Sequence, residues 1–374
     1  MKITNHEPEI TFDDILLLPG YSTFEMNEDL KKISLKTRIS KNIKLDIPIT
    51  SSPMPGLTEE KMAIALGKLG GLGFIHPFQS KNLQLAQLRK VKKHQVKVAA
   101  SVIDLSLDKG VDHVKNLHQA GVTLISIETS HAHNKQTIAF IKKIKKNYPK
   151  IEVSASLVVT GEATKDLIKA GADSIRVGIG GGSHCTTRLV TGVGRPQLSA
   201  IAECYKVAKK YDIPILSDTG IKYSGDIPKA LAFGGESVMI GGLLTGTDEC
   251  PGNIITKKGK KYKHSWGMCT QEAIIHNQPF LENPYQAILK QTKEIAKTIL
   301  GRNQNQLNKK LIFEEGVAEL IPYKGSVTQV VEELVAGTKR SMWYLGATNI
   351  SQLQKRTKWV MVSNSTHLEN VPRI

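Results

Sequence analysis

The chain has 374 residues, 40% hydrophobic and 23% charged, which excludes a disordered segment and suits one large α/β domain or two ordinary ones. Lys and Arg number 51 against 34 Asp and Glu, a formal net charge of +17, but the excess is mostly lysine in scattered runs such as Lys142-Lys143-Ile144-Lys145-Lys146, and aromatics are only 5%; a solvated basic surface is expected rather than a nucleic-acid site. The cysteines Cys185, Cys204, Cys250 and Cys269 lack CxxC spacing, the first residues are polar and acidic, and no apolar run nears the roughly 20 residues of a membrane span; zinc, disulfides, a signal peptide and a membrane anchor are all disfavoured, and a cytoplasmic protein is expected.

In chain order, short apolar, β-branched segments predict strands at Ile47–Ser52, Gly71–His76, Val96–Val102, Thr123–Glu128, Glu152–Leu157, Ser174–Gly178, Ile213–Asp218 and Ser237–Gly241. Between them, apolar residues spaced by three and four predict helices, among them Glu59–Leu69, Lys109–Gln119, Lys135–Lys146 and Glu162–Ala170, with Gly or Pro at the junctions. Eight strands alternating with helices predict a (β/α)8 barrel. An open doubly wound sheet is the competing reading. A lysine-rich, hairpin-like stretch, Lys257–Lys263, opens the C-terminal tail, and the polar stretch 278–310 that follows suits a lid.

In a barrel the chemistry sits where strands end at their carboxyl side. The unusual residues of this chain lie there. Ser51-Ser52-Pro53-Met54 follows the first strand, Glu128-Thr129-Ser130-His131-Ala132-His133 the fourth, and GIGGGSHCTTR (178–188) the sixth. Asp218-Thr219-Gly220 follows the seventh and Gly241-Gly242 the eighth. Ser183, Gly220, Gly241 and Gly242 could cradle a phosphate through backbone N–H groups, or could be ordinary glycine turns. Cys185 reads either as a nucleophile, with Thr187 and Arg188 nearby, or as an inert packing residue. His131 and His133 have no third ligand in view, so hydrogen bonding to a polar ligand is expected of them before metal binding.

Taken together, TFDDILLLPGYS (11–22), IPITSSPM (47–54), KMAIALGKLGGLGFIH (61–76), ETSHAHN (128–134), the glycine–cysteine segment, SDTGIKYSGDIPKALAFGGESVMIGGLLTGT (217–247), WGM (266–268) and EEGVAELIPYKGSV (314–327) resemble the IMP dehydrogenase and GMP reductase family over nearly the full length. The resemblance implies a single catalytic barrel over residues 1–374, carrying a flap at 269–314, and a homotetramer binding a purine 5′-monophosphate and NADPH or NAD. It implies Cys185 as the nucleophile that forms a thioimidate at purine C2. Thr187 then helps activate water or ammonia, and Glu315 contacts the purine. Ser52, Ser183, Asp218, Gly220, Gly241, Gly242 and Met268 match nucleotide-binding positions. Glu128, Ser130 and His131 fall where the family meets its cofactor. The carbonyls of Gly180, Gly182 and Cys185 match a potassium site.

The chain also departs from the family pattern. The regulatory module usually inserted near residues 90–97 is missing, Glu128 stands for an aspartate, and His184 occupies a position that is normally small or aliphatic. Dehydrogenases carry an Arg-Tyr pair on the flap to activate water, and no adjacent Arg-Tyr occurs between Met268 and Glu315. On that ground the expected reaction is GMP reduction by NADPH to IMP and ammonia. IMP oxidation to XMP is the alternative, followed by action on another purine nucleotide.

Overall fold

The computed structural model describes residues 8–24, 29–266, 318–363 and 365–370. Strand β1 (Ile15–Leu18) lies outside the barrel, and β2 (Thr37–Arg38) and β3 (Lys44–Leu45) form an antiparallel pair. Eight strands follow: β4 (Ile49–Ser51), β5 (Leu72–Ile75), β6 (Ala99–Val102), β7 (Leu124–Ile127), β8 (Glu152–Val158), β9 (Ser174–Val177), β10 (Ile215–Asp218) and β11 (Gly235–Ile240). All eight pair in parallel and close when β11 returns to β4, which establishes the (β/α)8 barrel.

Around it run α1 (Glu60–Lys68), α2 (Lys81–Lys93), α3 (Lys109–Gln119), α4 (Lys135–Asn147), α5 (Gly161–Ala170), the short α6 (Thr187–Thr191), α7 (Gln197–Ala208) and α8 (Asp226–Ala232). Side-chain caps set several starts: Ser80 accepts from the Leu83 N–H, Asn134 from Thr137 and Thr160 from Ala163. Beyond the barrel, β12 (Ile255–Lys257), β13 (Lys260–Trp266) and β14 (Ala318–Pro322) form an antiparallel sheet. Then come α9 (Val327–Tyr344), α10 (Ile350–Arg356) and β15 (Lys358–Met361), the last of which pairs with β1.

Strand alternation sorts the core into two bodies. Outward residues such as Ile75, Val102, Ile127, Val177 and Ile240 pack beneath the helices. Inward residues Leu72, Phe74, Ala99, Leu124, Leu216 and Met239 join Ile39 and Leu45, so the β2–β3 hairpin plugs the amino-terminal end of the barrel. Two residues further along the same strands the inward positions turn polar and stay buried: Ser101 after Ala99, Ser126 after Leu124, Asp218 after Leu216, with Arg176 beside them. The apolar floor therefore gives way to a polar mouth at the strands' carboxyl ends.

Each predicted strand overlaps its observed counterpart. β11 begins at Gly235, two residues before the predicted Ser237, where Glu236 is held by β2: Thr37 donates to its carbonyl at 2.5 Å and Arg38 to its carboxylate at 2.7 Å. The β1–β15 pairing had no local signal, since its partners stand at opposite ends of the chain. Among the described residues, no helix is long and apolar enough to cross a membrane. The predicted flap, 269–314, and the candidate residues Met268 and Glu315 lie outside the described residues.

Phe74 is fully buried in the barrel floor. Phe74→Ala is expected to cost about 3–5 kcal/mol of stability, the range for removing a core aromatic, as read from chemical denaturation.

Candidate active site

The loop after β9 is built on backbone contact. A side chain on Gly178 would meet the Asp218 carbonyl at 2.0 Å, and one on Gly181 would meet Thr219 Oγ1 at 2.5 Å. The Gly220 N–H donates to the Gly181 carbonyl at 3.1 Å, and Gly178, Gly180 and Gly220 all take positive φ. Only glycine allows both the conformation and the approach. Gln197, buried at the start of α7, donates to the carbonyls of Val177 and Asp218 at 2.8 Å each and so stitches β9 to β10.

The Cys185 N–H donates to the Gly182 carbonyl at 3.1 Å, forming a turn that presents the half-buried thiol. Cys185 Sγ lies 3.1 Å from Thr187 Oγ1. Arg188 does not face outward. Its Nε donates to the Ile179 carbonyl at 2.9 Å and its Nη2 to the Arg195 carbonyl at 2.5 Å, tying the two flanks of the cysteine loop together. Cys204 and Cys250 are buried, and burial pushes the Cys204 thiol up to about 12.

Three other loops converge on this one. A side chain on Gly242 would lie 2.8 Å from Ser183 Oγ, and one on Gly241 would lie 3.7 Å from Met54 Sδ and 3.9 Å from Ser52 Cβ. Thus Ser52, Ser183, Gly241 and Gly242 come from β4, β9 and β11 to one place, with Gly220 joined to them through Gly181. His184 is buried beside them, with Nδ1 3.1 Å from Ser183 Oγ. Burial pushes the His184 imidazole down from its ordinary value, and Glu319 on β14 opposes this.

Across the mouth, Arg176 on β9 donates from Nε to Asp218 Oδ2 at 2.7 Å and from Nη1 to Glu128 Oε1 at 2.6 Å. Ser126 adds a bond to the same Glu128 oxygen at 2.9 Å. Burial works against the guanidinium charge, but the two carboxylates outweigh it and hold the arginine above its ordinary range. Burial also lifts Glu128 above the usual carboxylate range, with Arg176 opposing. Asp218 Oδ1 and Glu128 Oε2 take no hydrogen bond among the described residues. Arg176 and Gln197 were missed in the sequence. An arginine inside the otherwise apolar strand SIRV was the available signal, because a buried charge needs partners.

The cofactor candidates Ser130 and His131 are exposed just past Glu128. His133 is engaged by Asp166 at 3.0 Å, and no cluster of three metal-ligating side chains occurs among the described residues.

Fold and site thus define a (β/α)8 barrel whose mouth carries a thiol on a glycine loop, facing a ring of polar backbone and carboxylates. Residues 9–373 match the family model described as IMP dehydrogenase / GMP reductase domain. The chain is 35% identical to inosine-5′-monophosphate dehydrogenase of Borreliella burgdorferi, covering 99% of this chain and 98% of that protein. It is 37% identical to the enzyme of that name from Cryptosporidium parvum, over 95% and 92%, and 30% to that of Helicobacter pylori, over 95% and 94%. The chain belongs to the IMP dehydrogenase / GMP reductase family and is an oxidoreductase of purine nucleotides.

Two outcomes follow from this geometry. Arg176→Met strands two buried carboxylates, with an expected loss of about 3–5 kcal/mol near neutral pH. Glu128, already raised and now without the opposing charge, favours the folded state when protonated. The deficit should therefore be small below the ordinary glutamate range and grow as pH rises through and above it, which denaturant titrations at about pH 3.5 and about pH 7.5 would measure. Separately, iodoacetamide should label Cys185 well before Cys204 and Cys250, as read by peptide mass spectrometry. Equal labelling of all three would contradict the exposure pattern.

Proposed function

We propose that the protein oxidises IMP to XMP with NAD through a covalent adduct at Cys185. The observation that carries this is the 3.1 Å pairing of Cys185 with Thr187 on a loop that also brings Ser183 against Gly242. The direction of reaction is supported by the relatives above, each named inosine-5′-monophosphate dehydrogenase. The sequence-based preference for GMP reduction gives way to it.

In this reading the N–H groups of Gly241 and Gly242, with the Ser52 and Ser183 hydroxyls, hold the 5′-phosphate, while Gly220, its N–H spent on the Gly181 carbonyl, shapes the adjoining loop. Asp218 turns its unbonded Oδ1 to the ribose hydroxyls, its Oδ2 being fixed by Arg176. The purine is thereby laid over the cysteine loop. Cys185 loses its thiol proton to solvent and its sulfur adds to C2, and the C2 hydrogen leaves as hydride. A bound nicotinamide would supply the hydride acceptor, leaving Cys185 joined to C2 as the thioimidate. Water then attacks C2, the C–S bond breaks, and the Cys185 thiol returns as XMP leaves. Thr187, within reach of the sulfur, is placed to pass the proton in that second step.

The free Oε2 of Glu128, with exposed Ser130 and His131, fits the hydroxyls of a dinucleotide ribose. The carbonyls of Gly180, Gly182 and Cys185 are hard oxygen donors suited to a potassium ion, although that of Gly182 already accepts the Cys185 N–H. In the chain's own residues, Met268 and Glu315 would complete the purine contacts. A homotetramer is part of the same family-based reading.

One observation favours the reductive reaction: no adjacent Arg-Tyr pair stands between Met268 and Glu315. Absorbance at 340 nm decides. IMP with NAD should raise it in steady state and GMP with NADPH should lower it more slowly. The reverse ranking would establish reduction. Cys185→Ala should abolish both reactions while leaving IMP binding within about threefold, since phosphate and ribose contacts lie elsewhere. Substantial turnover by this variant would exclude the covalent route.

A further inference from the structure

Behind the glycine loop of β11 stands an ammonium group that the reaction above does not use. After β11 the chain turns tightly, with the Gly241 carbonyl accepting from the N–H of Leu244 at 3.0 Å and of Thr245 at 3.2 Å. The next two carbonyls, of Gly242 and Leu243, both accept from Lys324 Nζ, at 3.1 and 2.9 Å. The N–H groups of Gly242 and Leu243 take no hydrogen bond among the described residues. In a turn whose peptide units share a direction, carbonyls held on one side leave the N–H groups facing the other. Gly242 also meets Ser183: a Cβ there would lie 2.8 Å from the serine hydroxyl.

Lys324 is itself held in place. Its N–H donates to the Gly246 carbonyl at 3.0 Å, and the following Gly325 bridges Thr247 and accepts from the Asp248 N–H at 2.8 Å. Partial burial pushes its ammonium below the ordinary lysine value. A second lysine, Lys263, buried on β13, donates to the carbonyls of Cys250 at 2.7 Å and Asp248 at 3.3 Å. It secures the same segment further along, away from Gly242.

We propose that Lys324 is a positioning residue for the nucleotide phosphate, gripping the carbonyl side of the turn after β11 so that its N–H groups and the neighbouring Ser183 hydroxyl meet the anion. The proposal rests on the purine-nucleotide reading of the site. It predicts a contribution to affinity that depends on the phosphate and on nothing else in the ligand.

Calorimetric titration with IMP and with inosine, which lacks the phosphate, separates the possibilities. In Lys324→Met, IMP should bind about tenfold more weakly, the order of one lost charge-assisted contact, while inosine stays within about twofold. The KM for IMP should rise with little change in kcat. Lys324→Arg should restore most of the lost IMP affinity, and Lys263→Met should leave the ratio of IMP to inosine affinity unchanged. Equal weakening of IMP and inosine in Lys324→Met would make the lysine merely structural and overturn the proposal, as would unchanged IMP binding. If Lys324→Met does not fold, Lys324→Gln serves the same comparison, with an intermediate loss for IMP alone expected and an equal loss for both ligands overturning it. Should the unaltered protein bind inosine as tightly as IMP, the nucleotide reading itself falls and takes the proposal with it.

Discussion

The site depends on how closely two stretches of backbone lie. The loop after β9 rests on the end of β10 with no room for a side chain at Gly178 or Gly181. That contact fixes the height and tilt of the turn carrying Cys185, and Gln197 holds it from below by bonding both strands at once. The glycines thus act on geometry, as a hinge-free mount for the thiol. Arg188 spans the same loop from Ile179 to Arg195, so the cysteine sits on a braced arch.

A second ordering element crosses the mouth. Arg176 takes Asp218 and Glu128 at once, and its cost in desolvation is offset because both carboxylates lie at hydrogen-bond distance. The extra methylene of Glu128 lets it reach the guanidinium while keeping one oxygen free. Two carboxylates from different strands are therefore oriented by a single cation.

Much of the architecture was legible in the residues. Short apolar, β-branched segments marked every barrel strand, and the glycines, serines and Cys185 fell at strand ends where a barrel places its chemistry. What escaped had no local signature. Ile15 pairs with Met361 across almost the whole chain, and the β2–β3 plug is too short to show a period. Arg188, expected beside the thiol as a charge, does interact with Cys185 electrostatically, and it also braces two carbonyls, a role decided only by the loop's path. The direction of reaction was argued from a missing Arg-Tyr pair, whereas similarity over the whole chain points toward IMP oxidation.

The pairing of β1 with β15 bears on how the protein is made. A chain emerging from the ribosome exposes Ile15–Leu18 well before Lys358–Met361, so β1 waits unpartnered while the whole intervening barrel is made. Ile15 ends fully buried, while Leu16 and Leu18 remain partly open even in the folded state. The barrel also closes late, because β4 has to wait for β11. The barrel thus cannot close before Ile240 is made, nor β1 pair before Met361 is, and over that interval β1 is an unpaired edge open to chaperones and to neighbouring nascent chains.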